Sequence, residues 1–136
     1  MTPEQIEASK KLAEVMDKKG IKWTWSYGQK FIYPDSDEPD FVSCKEGSHL
    51  EAMSKHLLRL KAIPIPDIER CLKLLEDWGW TYISTDNLAQ PDEPAHWELE
   101  AYRGQWQSPK DSILLTAPDL PTAAILACVE AVRRME

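Results

Sequence analysis

No glycine-rich phosphate loop, HExxH, CxxC or Gly-x-Ser-x-Gly element occurs in this 136-residue sequence. The spacings that cradle phosphates, hold a catalytic zinc, exchange thiols or present a hydrolase serine therefore have no counterpart here. An excess of basic charge is lacking too. The net charge of −7 and pI near 5.0 argue against direct binding to a nucleic-acid backbone, which takes clustered Lys and Arg to displace counterions. There is no run of eighteen apolar residues, and residues 1–11 are polar and helical in pattern, without a signal-peptide core. Neither secretion nor membrane spanning is expected. The cysteines, Cys44, Cys71 and Cys128, are odd in number and widely spaced, and two lie on apolar helix faces. They read as reduced, buried thiols of a cytoplasmic protein, not as a disulfide framework.

Catalytic and metal chemistry find little support. His49 and His56 are seven residues apart, so on one helix they stand two turns apart and cannot share a metal ion. Cys44, Ser48 or Ser54 near either histidine would lack an orienting third group. No catalytic residue, metal or cofactor is assigned, and an enzyme of a new type is the minor alternative.

What the sequence does contain is amphipathic. Over residues 66–79, Ile68, Cys71, Leu72, Leu75 and Trp78 recur at helical spacing while Glu69, Arg70, Lys73, Glu76 and Asp77 take the other side. Pro66 suits the first turn and Gly79 the stop. The period then changes, and the alternation of Trp80, Tyr82 and Ser84 with Thr81, Ile83 and Thr85 predicts a strand. Earlier, Thr2, Pro3 and Gln5 form a capping box opening a helix that Gly20 ends, its thin stripe being Ile6, Leu12, Ala13, Val15 and Met16. Residues 21–27 predict a strand with Trp23, Trp25 and Tyr27 on one face, turning at Gly28 and Gln29 into a second strand over 30–33. An acidic loop over 34–40 leads to a short strand at 41–44. Ser48 and Glu51 signal a second capping box, before a helix to about Ala62 with Leu50, Met53, Leu57 and Leu60 on its stripe. Residues 63–66, Ile-Pro-Ile-Pro, read as a semi-rigid connector. After a polar loop over 86–94, Trp97, Leu99 and Ala101 form the inner face of a strand whose other face carries Glu98, Glu100 and Tyr102. A turn region over 104–111 follows, and residues 112–116 read as a central buried strand. Residues 118–121 launch a last helix with an apolar face of small residues around Ala124, Cys128 and Ala131, closed by Arg133 and Arg134.

The expected architecture is α+β, antiparallel strands covered by helices. By size it is one domain, readable as two α-βββ-α halves, 1–62 and 66–136, forming a sandwich. Both halves carry Asp-Glu-Pro, at 37–39 and 92–94; a duplication and a chance recurrence of a common order both account for this.

The strand from Trp80, the strand from Trp97 and the segment Thr-Ala-Pro-Asp-Leu-Pro-Thr-Ala-Ala-Ile-Leu-Ala-Cys-Val-Glu-Ala-Val at 116–132 resemble the phage ABA sandwich domain, over roughly residues 67–135. Leu120 stands where that family places a capping residue. The resemblance implies a sheet between helices and a phage or prophage setting, and carries no catalytic residues.

The expected function is binding. The row Trp23, Trp25 and Tyr27 is either core or a stacking platform, with Arg59 and Arg103 available for the phosphate of a small nucleotide signal. Alternatively, Asp35, Asp37, Glu38 and Asp40 on their loop would meet a basic surface of a host protein. A homo-oligomer is compatible with either reading.

Overall fold

The computed structural model describes residues 2–45, 47–88, 91–94, 96–104 and 108–135. They form an α+β protein with four helices and two three-stranded antiparallel sheets among the described residues. The chain divides into two compact units, Met1–Pro66 and Asp67–Glu136, each with its own sheet. None of the described helices is long and apolar enough to cross a membrane.

The first unit contains α1 (Pro3–Lys18), β1 (Lys30–Ile32), β2 (Asp40–Phe41), α2 (Gly47–Arg59) and β3 (Ile63–Pro64). Thr2 and Gln5 cap α1 reciprocally, as the capping box requires. The sheet order is β2-β1-β3, so the predicted connector at 63–66 is in part a strand. Pro64 is tolerated there because β3 is an edge, where a missing N–H breaks no ladder bond on the solvent side. The Ile65 N–H donates to Lys30 O at 2.9 Å, and the buried Gln29 amide donates to Ile65 O at 3.1 Å and to Lys30 O at 2.9 Å, extending the pairing past the proline. Phe31 and Ile32 point to opposite faces of β1, and both are fully buried. Phe31 joins a cluster with Trp25, Val42 and the α2 residue Leu57, while α1 lies against β3.

Residues 21–27 form no ladder, contrary to expectation: both edges of the central β1 are taken by β2 and β3. Nor does Ser48 cap α2; it lies within the first turn. With its third strand after its second helix, the first unit departs from the α-βββ-α order.

Two helices of this unit end in the same hydrogen-bonded stop. After α1, Ile21 N–H donates to Met16 O and Gly20 N–H to Asp17 O; after α2, Ala62 donates to Leu57 O and Lys61 to Leu58 O. Each is a Schellman motif, which needs a left-handed residue. Gly20 supplies it in the first (φ +71°) and Lys61 in the second (φ +55°). Because a β-carbon costs about 1–2 kcal/mol in that region, part of it returned by glycine's looser unfolded state, Lys61→Gly is expected to stabilise the first unit by up to about 1 kcal/mol in urea denaturation. A destabilised variant would contradict this account of the cap.

The second unit follows the expected order: α3 (Ile68–Asp77), β4 (Tyr82–Leu88), β5 (His96–Tyr102), a 3-10 turn at Pro109–Asp111, β6 (Ser112–Ala117) and α4 (Leu120–Arg133). Residues 105–107 of the expected turn and residues 89–90 of the expected loop lie outside the described residues. The strands run β4-β5-β6, so β6 is an edge and β5, not the predicted 112–116 segment, is central. β4 begins later than expected and continues through Asp86 and Asn87 to Leu88. Asp67 caps α3, accepting from the Arg70 N–H at 2.7 Å, so Pro66 precedes the helix and does not stand in its first turn as expected. Likewise Asp119 caps α4, accepting from the Thr122 backbone at 2.8 Å, which puts Leu120 inside the first turn. α4 packs on β5 and β6, with α3 against α4, and the interface buries Cys71, Leu75, Leu99, Ala101, Ile113 and nine residues of α4. The helices thus gather on one face, where the resemblance implied a sheet between them.

Candidate functional site

The first unit holds an open groove of about 580 Å³. One wall is the end of α1, with Ala13, Met16 and Asp17. Another is the extended stretch carrying Ile21, Lys22, Trp23 and Trp25, and the far side is the second half of α2, with Leu58, and the stop that follows it, with Lys61 and Ala62. The groove exists because residues 21–25 bridge the two helices without joining the sheet. Their alternation still turns Ile21, Trp23 and Trp25 inward and leaves Lys22 and Thr24 exposed.

The structure divides the predicted aromatic row. Trp25 is core: it is 9% exposed, and its ring meets Phe31 edge-on at 5.7 Å. Trp23 is half-buried, packed on the core cluster on one side and lining the groove. Tyr27 is 58% exposed and does not line it. The reason is a tight turn. The Gln29 N–H donates to Ser26 O at 3.1 Å and Gly28 takes φ +82°, the pattern of a type II turn, which points Tyr27 outward under Lys45, whose ammonium lies 5.6 Å from the ring centroid.

Arg59 is exposed on the last turn of α2, outside the groove lining. Arg103 belongs to the second unit, where Asp111 takes its guanidinium at 3.1 Å and the Trp80 ring lies 4.9 Å below it. It is thereby committed to packing. Of the predicted acidic loop, Asp35, Asp37 and Glu38 fall between β1 and β2, while Asp40 opens β2 and pairs with Phe31. Asp37 reaches Lys10 at 3.9 Å, and Asp40 accepts from the Phe41 N–H at 2.8 Å.

The groove's cations were not singled out from sequence. Lys22, Lys55 and Lys61 rim it, opposed by Asp17, and Lys55 is shared with Glu51 at 3.8 Å. Leu58, 63% exposed, is an apolar side chain of the far wall that the predicted stripe of α2 omitted. The available signal was this one leucine off the stripe beside a lysine where a helix-stopping glycine belongs. Against nucleophilic catalysis, Ser54 Oγ donates to Leu50 O at 2.8 Å within its helix, and His49 and His56 are exposed on α2. Among the described residues no three His, Cys, Asp or Glu side chains converge to hold a metal ion.

Comparisons with models of known protein families, with curated proteins and with solved structures found no match to this chain.

Proposed function

We propose that this is a non-catalytic binding protein whose first unit captures a small anionic ligand with a planar ring, a nucleotide being the chemical class that fits. The observation carrying this reading is the groove beside Trp23: an aromatic wall, an apolar wall facing it and a rim of three lysines in one concavity. Its 580 Å³ lies within the range of small-molecule sites. A base laid on Trp23 would gain about 1–3 kcal/mol from stacking, and a phosphate would sit among Lys22, Lys55 and Lys61. The phage or prophage setting implied by the resemblance, with a host nucleotide signal as the captured ligand in the host cytoplasm, belongs to the same proposal.

Titration of tryptophan fluorescence with mono- and dinucleotides tests it. Quenching is expected for the native chain, with Trp23→Leu removing most of the response and Lys22→Ala with Lys61→Ala weakening affinity by about tenfold, roughly 1.4 kcal/mol. No response to any nucleotide would end the nucleotide reading. A response to neutral oligosaccharides alone would redirect it to sugars.

A further inference from the structure

The sequence's charge is unevenly divided. Residues 1–66 carry ten acidic and ten basic side chains, and residues 67–136 carry thirteen and six, so the whole net charge of −7 belongs to the second unit. The acidic loop of the first unit is therefore balanced within its own unit, whereas the second has a surplus.

Part of that surplus is on the sheet face turned away from α4. Tyr82 pairs with Tyr102 across β4 and β5, Ser84 with Glu100 and Asp86 with Glu98; on the other side of β5, Glu100 pairs with Leu114 and Glu98 with Thr116. Alternation puts all of these on one face. Tyr82 is 48% and Leu114 61% exposed, and Asp86 and Thr116 are exposed as well. No helix of this unit covers them among the described residues. Like charges directly opposite one another destabilise a strand pair, yet Asp86 faces Glu98, Glu100 is next along β5, and none of the three has an ion pair among the described residues. Glu100 instead accepts from the Tyr102 hydroxyl at 3.2 Å. Its charge, then that hydrogen bond, raise the phenol above its ordinary value.

We propose that the open face of β4-β5-β6 is a docking surface for a short Lys- or Arg-bearing segment of a protein partner, its cations meeting Asp86, Glu98 and Glu100 and an apolar side chain seating against Leu114 and the Tyr82–Tyr102 pair. Charge selects this occupant. A second copy docked by the same face would set these carboxylates against their equivalents, and phosphate backbones or anionic membranes would be repelled. Size selects it too. Seven residues at about 3.4 Å by three strands about 4.8 Å apart give roughly 300 Å², well below the approximately 800 Å² per partner of a stable protein interface. A peptide-length segment fits this face.

The test is fluorescence anisotropy with a labelled nine-residue peptide carrying four Lys or Arg and one Leu, alongside an acidic peptide of the same length. The basic peptide is expected to bind, its affinity falling with added salt, and the acidic one not to bind. Glu98→Gln with Glu100→Gln should weaken binding at least tenfold, while Asp35→Asn with Asp37→Asn, the same change in net charge on the first unit's loop, should change it less than twofold. Equal weakening by both pairs would show mere attraction to an acidic protein and overturn the proposal, as would no weakening by the first pair. Amide chemical-shift mapping on the native chain supplies a variant-free check: shifts must concentrate at Tyr82, Glu98, Glu100 and Leu114, and shifts concentrated elsewhere reject this face. Self-association that Leu114→Lys abolishes would assign the face to a second copy and equally overturn it.

Discussion

Replacing Trp80 with alanine is expected to remove about 3–5 kcal/mol from the second unit, the usual cost of deleting a buried indole. Trp80 leads the fully buried side chains in volume, at 1% exposure. Its position follows from the stop of α3. The Trp80 N–H donates to Leu75 O at 2.9 Å and the Gly79 N–H to Glu76 O at 3.0 Å, with Gly79 at φ +94°, a Schellman motif that swings residue 80 back under the helix. The guanidinium groups of Arg103 and Arg134 lie 4.9 and 5.9 Å from the ring centroid. Arg134 further donates to the carbonyls of Pro109, at 3.2 Å, and Ser112, and pairs with Glu130 at 3.0 Å. The indole thus ties together the ends of α3, β5 and α4 and the start of β6, so its removal also strands two arginines whose stacking is worth about 0.5–2 kcal/mol each. The midpoint of urea denaturation followed by circular dichroism measures the loss. Trp80→Phe should retain more than half the stability that alanine forfeits, and a Trp80→Ala midpoint unchanged from the native chain would refute the assigned role.

The second unit should also lose stability steeply in alkali. Cys71 and Cys128 meet where α3 crosses α4, both fully buried, with the Cys128 thiol 3.5 Å from Cys71 O. Hydrogen bonding to the Cys128 side chain, then burial, pushes the Cys71 thiol well above its usual range. An unfolded cysteine loses its proton near pH 8.5, so above that value the folded state holds a proton that the unfolded state has released. Stability is then complete below about pH 8 and falls as the pH rises above the unfolded value, by at most roughly 1.4 kcal/mol per pH unit for the one proton involved. The raised Tyr102 phenol acts in the same direction above its ordinary value near 10. Denaturation midpoints from pH 7 to 10 in the presence of a reductant should show this slope. Cys71→Ala, less stable at pH 7 through its cavity, should show a flatter one. Parallel curves for the two proteins would rule the thiol out as the cause.

Local signals were reliable where a segment supplies its own hydrogen bonds. The capping box at Thr2 and Gln5 and the stops at Gly20 and Gly79 could be read directly, because each joins residues three to five apart. The face of β5 was legible as well: Leu99 and Ala101 are fully buried and Glu98 and Glu100 are not, as alternation requires. Strand partners were not legible. Residues 21–27 have the composition of a strand but find β1 already flanked, and Ile63–Pro64, which looks like a breaker, is what flanks it. Strict alternation places Trp80 on one face with Tyr82 and Ser84, yet the cap of α3 buries it while Tyr82 stays exposed. Of the candidate ligand residues, Trp23 and Trp25 meet at the groove, while Tyr27 and Arg59 stand apart from it and Arg103 packs in the second unit. The lysine rim was invisible because Lys22, Lys55 and Lys61 are separated by up to 39 positions and converge only when α2 folds beside the 21–25 stretch.

By itself the sequence determined the helices, the capped start of α1, the glycine stops of α1 and α3, and the α+β class, since these depend on periodicity and on caps whose partners lie within a few residues. Which strands pair, which tryptophans are enclosed, where a groove opens and which sheet face is left uncovered were decided by tertiary structure alone. Those outcomes turn on competition between distant segments for the same edges and surfaces, and no short window of sequence records who wins.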